Sequence, residues 1–573
     1  MRIMFYPAMI EGSTQGILFE GGKIWTGDPS RPRAQALAVR RGWIVAVGET
    51  ADLRDVFPRF RRVSLDGCAV LPAFTDSHIH FAAFGLALRQ VELRACRSLR
   101  DAVDAIAAAA LTARPGEWIR GRGWDKNLWP EGRFPRKEDL DSVMGDHPVL
   151  LHSKDGHTAW VNSLALARAG IMRDTPDPEG GMIARDADTG EPTGLLAERA
   201  VHPVAALAGR PAPETLEEAI QDATAAAHRA GIAGVHVMEG ADVLSAVQRL
   251  RARGVLGVRV CMMIPEDALD AAIALGMRSG FGDLMVRVGG VKIFADGALG
   301  SQTASLLRPY EGQPQNSGVV VRTRTQLHAL VHRAASHGVA AAVHAIGDQA
   351  NRWVLDAFEA ARPETIQWGL RHRIEHVQLL HPQDLPRLAA LDVIASMQPI
   401  HCTQDRDIAD RYWGDRSRYA YAFRSLLECG TRLTFGSDAP VETLDVLAGI
   451  YAAVTRKRRE EPDRPAWYPE ESLTTVEAVR AYTDGPAYAM GEETIKGRLA
   501  PGFVADFVAL SEDPLAVPAD RLPGIRVLLT VVGGVIRYSA SSGTRVSSAS
   551  SSEVSASIPS GSSSIEGSGS FGK

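Results

Sequence analysis

The stretch Leu71–His80, LPAFTDSHIH, reads as a short apolar strand that runs into two histidines one residue apart. Residues two apart on a strand point the same way, so His78 and His80 share a face. Taken from Ala73, AFTDSHIH (73–80) is the first of eight such runs. The others are GIAGVHVME (231–239), GVRVCMMI (257–264), RVGGVKIFADG (287–297), GVAAAVHAIGD (338–348), RHRIEHVQL (371–379), DVIASMQP (392–399) and RLTFGSDAP (432–440). Ala-rich helical stretches such as ADVLSAVQRLRARG (241–254) and TQLHALVHRAASHG (325–338) lie between most of them. Strand–helix alternation predicts a parallel sheet, and continuously apolar strands predict that both faces are covered. Eight units fit an α/β fold of the TIM (β/α)₈ barrel type.

Outward from this centre the pattern changes. Residues 17–72 and 495–538 hold β-rich runs separated by glycine, ILFEGGKIWTG and RVLLTVVGGVIRY among them. This predicts a small β-sandwich domain built from both termini, residues 1–72 and 495–538, around a barrel at 73–494. Residues 81–231 form a large insertion after the first barrel strand, with β-type runs EWIRGRGWDK and HPVLLHSKDGHTAWVNS and a Gly/Asp-rich stretch. An insertion at that place is expected over the C-terminal mouth of the barrel, where active sites are built. From Ser539 to Lys573, 16 of 35 residues are serine. Such a segment, 539–573, reads as a disordered tail or linker.

The 573-residue chain has an average globular composition, with 45% hydrophobic and 23% charged residues and a net charge of −5. Without a basic excess, neither nucleic acid nor an acidic membrane surface is an expected partner. No apolar run is long enough for a membrane span and no signal peptide is recognisable, so a cytoplasmic location is expected. The 5 cysteines are scattered, which speaks against a disulfide framework or a thiolate zinc site. Barrels of this size often pair, so a homodimer is an option.

The chemistry gathers at strand ends. His344 closes the fifth run, His376 the sixth and Asp438 the eighth, while Lys292 lies within the fourth. Polar groups in otherwise apolar strands are costly unless paired or coordinated, and their shared position at one end of the barrel makes one converging site. Four histidines and a carboxylate without thiolates suit Zn²⁺, with Mn²⁺, Fe²⁺ or Ni²⁺ as alternatives. A catalytic metal lowers the pKa of water and supplies hydroxide, and Asp438 is the natural general acid/base. Three readings of Lys292 stay open: a neutral amine, a lysine carboxylated by CO₂ that bridges two metals, or an ammonium paired with Asp296.

These residues, in this order, resemble the amidohydrolase superfamily, and most closely its YtcJ-like, N-substituted-formamide-deformylase-like branch (amidohydrolase family 3). The matching stretches include VKIFADGALGSQTASLLRPY, VHAIGDQAN, RIEHVQ, SMQPIHCTQD, FGSDAPV and KGRLAPGFVADFVAL, and the resemblance spans about residues 15–538. It implies a metal-dependent barrel in which His78, His80, Lys292, His344, His376 and Asp438 hold one or two Zn²⁺ (or Mn²⁺ or Fe²⁺), with N6-carboxylysine at Lys292 in the two-metal case. The implied activity is hydrolysis of a C–N bond other than a peptide bond, in a small-molecule amide or N-substituted formamide. Deamination, cyclic-amide opening and carbamate or ester cleavage are the alternatives on the same scaffold. Substrate contacts are expected from Asp155, His157 and Trp160 in HSKDGHTAW, from Trp124, from Asp296 and from Gln398. His401 is expected to support an oxyanion, and Arg373 and Glu375 to orient ligands.

Overall fold

The structure, a computed structural model, describes residues 16–153, 158–178, 181–209, 211–300 and 302–540. All eight expected barrel strands form: β1 (Phe74–Ile79), β2 (Ile232–Val237), β3 (Arg259–Pro265), β4 (Val286–Phe294), β5 (Ala341–Ala345), β6 (Arg373–His376), β7 (Ile394–Met397) and β8 (Leu433–Phe435). They are hydrogen-bonded in sequence order, every neighbouring pair parallel. The seam between β8 and β1 is closed beyond the strand ends: the Asp438 N–H donates to His78 O at 2.7 Å and the His80 N–H to Ala439 O at 3.0 Å. Asp76 reinforces this seam, its Oδ1 accepting from the backbone of His78 at 3.1 Å and Ser437 at 3.0 Å. Closure by loops therefore depends on the same two segments that carry His78, His80 and Asp438.

Outside the barrel, Val235, Val291, Val343, Ile374 and Phe435 share one continuous core with the surrounding helices. Burial of both strand faces explains why these strands are apolar throughout rather than alternating.

The flanking segments form one eight-stranded sheet from both termini. Its strands are Ile17–Trp25, Arg33–Arg40, Trp43–Gly48, Arg61–Ser64, Ala69–Pro72, Phe507–Leu510, Val527–Val532 and Val535–Ser539. The edge strand Trp43–Gly48 and the turn before it fold back onto the segment that leads into Phe507–Leu510: Ile44 N–H donates to Phe503 O and Ala505 N–H to Gly42 O, both at 2.8 Å. Enclosed are Phe19 and Phe507, edge to face with ring centroids 4.8 Å apart. Only Ala73 separates this sheet from β1.

The insertion begins with helix α1 (Phe81–Leu88) and holds a six-stranded sheet of its own, between Val91 and Glu198. It ends in helix α2 (Pro213–Arg229), whose Leu216, Ile220, Ala223 and Ala227 enter the barrel core. Residues 213–229 thus pack as an outer helix of the barrel although the sequence places them inside the insertion. The insertion reaches the mouth of the barrel: Arg122 Nη2 donates to the carbonyl of Pro440 at 3.0 Å, two residues beyond Asp438. No described helix is long and apolar enough to cross a membrane. From residue 541 on, the serine-rich segment lies outside the described residues.

Candidate metal centre at the barrel mouth

The six residues expected as ligands, with His401, all line one cavity of about 350 Å³ at the C-terminal ends of the strands. Ligand atoms of His78, His376 and Asp438 lie within 4.8 Å of one another, and all three residues are buried. His80 Nε2 stands 3.3 Å from Asp438 Oδ1. The His344 ring packs on that of His376, centroids 4.5 Å apart, and its Nε2–H donates to the carbonyl of Gly297 at 3.0 Å, which leaves the lone pair on Nδ1 as the atom able to hold a metal.

Local backbone conformation brings these groups together. Strand alternation alone would turn His376 away from the side taken by Glu375. A φ of 76° at His376, followed by 48° at Val377, swings its imidazole back into the cavity, and Asp438 has a φ of 58°. Positive φ at non-glycine residues is sparsely populated and concentrates at functional sites.

The electrostatics of the cluster are those of a site built around a positive ion. Burial, reinforced by the Lys292 charge, lowers His344 to about 3, and burial also lowers His78 and His376. Their imidazoles are therefore neutral and able to donate lone pairs. Burial pushes the Asp438 carboxyl up, but the facing imidazoles more than offset it and hold the group well below the usual carboxylate range. Lys292 is lowered to about 8 by burial, with Glu375 and Asp438 opposing. Its Nζ, His376 Nδ1 and Asp438 Oδ1 are buried without a hydrogen-bond partner. His376 Nδ1 and Asp438 Oδ1 carry free lone pairs that a coordinated cation would satisfy, and such nitrogen and oxygen donors suit a first-row divalent metal.

His401 stands on helix α3 (Pro399–Trp413), with Nε2 3.2 Å from Asp438 Oδ2 and Nδ1 3.8 Å from Glu442. The N–H expected to support an oxyanion is thus given to Asp438. The Lys292–Asp296 pairing does not form. Asp296 is buried beneath the cavity wall, where it accepts from the backbone of Ser305 at 2.8 Å, Ile346 at 3.0 Å and Gly347 at 2.8 Å. It ties the loops after β4 and β5 together and does not line the cavity. Burial raises it to about 7.

Three further residues expected to meet substrate do not line this cavity. Trp124 and Trp160 are core residues of the insertion: their indole N–H groups donate to Leu151 O and Arg136 O, each at 2.9 Å. A small subdomain needs large rings for its own interior, and that need outweighs display at the mouth. Gln398 is fully buried at the start of α3 and does not line the cavity. Asp155 and His157 lie outside the described residues.

The walls include residues that the sequence reading passed over: Phe294, Gln378, Asp405, Val441 and Glu442. Two of them carried a spacing signal. Gln378 is two residues beyond His376, and Asp405 is one helical turn beyond His401. Phe294 is 43% exposed and Val441 56%, so the mouth is apolar.

Residues 61–538 match the model of the amidohydrolase family. The chain is 34% identical over 530 residues to YtcJ of Bacillus subtilis (strain 168), named as a candidate amidohydrolase, covering 91% of this chain and 99% of that one. It is 28% identical over 542 residues to an N-substituted formamide deformylase of Arthrobacter pascens, with 91% and 98% covered. A solved metal-dependent hydrolase of Pyrococcus horikoshii OT3 superposes with a TM-score of 0.74 at 28% identity, covering 88% of this chain and 99% of that one.

Proposed function

The chain belongs to the amidohydrolase family, and we propose that it is a metal-dependent hydrolase that cleaves the C–N bond of small uncharged amides, N-substituted formamides foremost. The observation that carries this reading is the convergence of His78, His376 and Asp438 around orphaned donor atoms at the barrel mouth. His78, His80, His344, His376 and Asp438 would hold Zn²⁺, or Mn²⁺ or Fe²⁺ in its place. Lys292, its Nζ unpartnered, would carry the carbamate that joins a second ion. Such a cation makes hydroxide available at neutral pH and polarises the carbonyl.

The protein's own groups do the rest. Asp438 takes the proton of the attacking water and returns it to the departing nitrogen, so that amine leaves and carboxylate remains. His401, hydrogen-bonded to Oδ2, keeps that carboxylate turned toward the cluster. Phe294, Leu299, Ile346 and Val441 form an apolar wall for the nitrogen substituent, while the small acyl group faces the histidines. The formamide choice is supported by the likeness to the Arthrobacter deformylase.

The test is Asp438→Asn, assayed by release of formate and amine from N-alkyl and N-aryl formamides. The variant is expected to fold and to lose activity by about 10²–10⁴-fold. Turnover at the wild-type rate would overturn the role of Asp438, and a wild-type protein inert to every amide offered would overturn the substrate class.

A further inference from the structure

Beneath the cluster, the barrel interior departs from the branched aliphatic layers that commonly fill such barrels. Arg373 on β6, fully buried, occupies it with each of its three nitrogens engaged. Nε donates to Glu375 Oε1 at 2.5 Å, and Nη2 donates to Glu375 Oε2 at 3.0 Å, to Ser77 O at 2.5 Å and to Ser396 Oγ at 2.7 Å. Nη1 donates to His236 Nδ1 at 2.9 Å. Glu375 in turn lies 2.6 Å from His78 Nδ1. Strands β2 and β6 stand four places apart in a ring of eight, so the His236–Arg373 contact crosses the barrel interior, and Glu375 on β6 carries the row back to His78 on β1.

The donor inventory assigns each proton. A guanidinium only donates, so His236 Nδ1 accepts and His236 is neutral with its proton on Nε2. Glu375, gripped by that guanidinium, is ionised and only accepts, so His78 Nδ1 donates. The lone pair of His78 is then on Nε2, on the side of Asp438, where His78 Nε2 and Asp438 Oδ1 are 3.5 Å apart.

We propose that His236 is a positioning residue for the metal centre: by accepting from Arg373 it locks the guanidinium against Glu375 and so sets the tautomer and ring orientation of His78. The inference rests on the metal-site reading above. Its physical reason is that a buried guanidinium with one face unpaired is costly and turns to find a partner, releasing Glu375. Partners of this outer kind, when lost, commonly weaken metal affinity by about 10–100-fold.

The experiment is Zn²⁺ affinity by chelator competition on the full chain, with the melting temperature of the metal-free protein alongside. His236→Leu keeps the bulk and removes the acceptor, and affinity is expected to fall about 10–100-fold. His236→Asn places an amide oxygen near the position of Nδ1 and is expected to restore most of it. Arg373→Lys, which cannot grip Glu375 with two nitrogens, is expected to weaken binding even if His236→Leu does not fold. Unchanged affinity in His236→Leu or Arg373→Lys would overturn the proposal, as would a lower melting temperature with no change in affinity, or an asparagine variant as weak as the leucine one. A wild-type chain that binds no Zn²⁺, Mn²⁺ or Fe²⁺ would instead overturn the metal-site reading beneath it.

Discussion

Lys292 is the residue on which the number of metals turns. Its Nζ is buried with no hydrogen-bond partner, 4.9 Å from the centre of the Phe294 ring. An ammonium left there beside a cation would be repelled. A neutral amine can attack CO₂, forming an N–C bond and releasing a proton, and the resulting carbamate is an anionic ligand. Lys292→Ala is therefore expected to carry less metal per chain by mass spectrometry, with partial recovery in short-chain carboxylates. Metal content equal to wild type would rule the carbamate out. This lysine, like His78, His80, His344, His376 and Asp438, was legible in the sequence, because a polar side chain at the end of an apolar strand has few other reasons to be there. His236 carried the same signal, in GVHVME, and was passed over because its partner Arg373 lies 137 residues away on the far side of the barrel. Trp124 and Trp160 were misplaced for a related reason: an aromatic side chain looks the same in a local sequence whether it lines a cavity or fills a core.

At the scale of elements, the expected strands formed because most of the eight runs are short apolar stretches with their own polar ends. The insertion was less legible. EWIRGRGWDK and HPVLLHSKDGHTAWVNS gave strands Ile119–Trp124, Val149–Ser153 and Thr158–Val161, but the Gly/Asp-rich stretch also holds most of an antiparallel pair, Gly181–Arg185 and Pro192–Glu198, around a polar turn. Turn residues dominated the composition and hid the strands on either side. Helix α1 shows how tightly the insertion is joined to the barrel. Glu239, just past β2, accepts from the N–H groups of Ala82 and Ala83 at 2.8 and 2.9 Å, and this anchors the helix that starts directly after His80. Gly85 then lets α1 approach α2 so closely that a Cβ there would lie 1.9 Å from the carbonyl oxygen of Ala219. A helix backbone cannot yield by that amount locally. Gly85→Ala is expected to cost about 1–3 kcal/mol through overpacking, seen as a lower melting temperature. A variant as stable as wild type would show that the two helices can separate freely.

For the whole molecule, the question is what holds the terminal sheet to the barrel, since the chain leaves one and enters the other at two places far apart in sequence. Arg259, the first residue of β3, reaches across to Asp506, which directly precedes the strand Phe507–Leu510. Nε and Nη2 meet the two carboxylate oxygens at 2.6 and 2.9 Å. Asp506 Oδ1 also accepts from the Gly533 N–H at 2.7 Å, so one carboxylate joins the barrel to two segments of the sheet. Burial pushes the Asp506 carboxyl up, yet the charge and hydrogen bonds of Arg259 hold it below its ordinary 3.8. Asp506→Asn leaves a buried guanidinium uncompensated and is expected to cost about 3–5 kcal/mol near neutral pH. The pH dependence follows from the sign of the shift. Near pH 4 the unfolded chain holds a proton that the folded chain has already released, so this contribution is complete above the unfolded value and is lost as the pH falls through the lower, folded one. The melting temperatures of wild type and Asp506→Asn should therefore lie well apart at pH 7 and draw together below about pH 4, as the wild-type carboxyl takes up the proton. A gap that stayed constant from pH 7 to pH 3 would mean that the pair contributes shape and not charge to the junction.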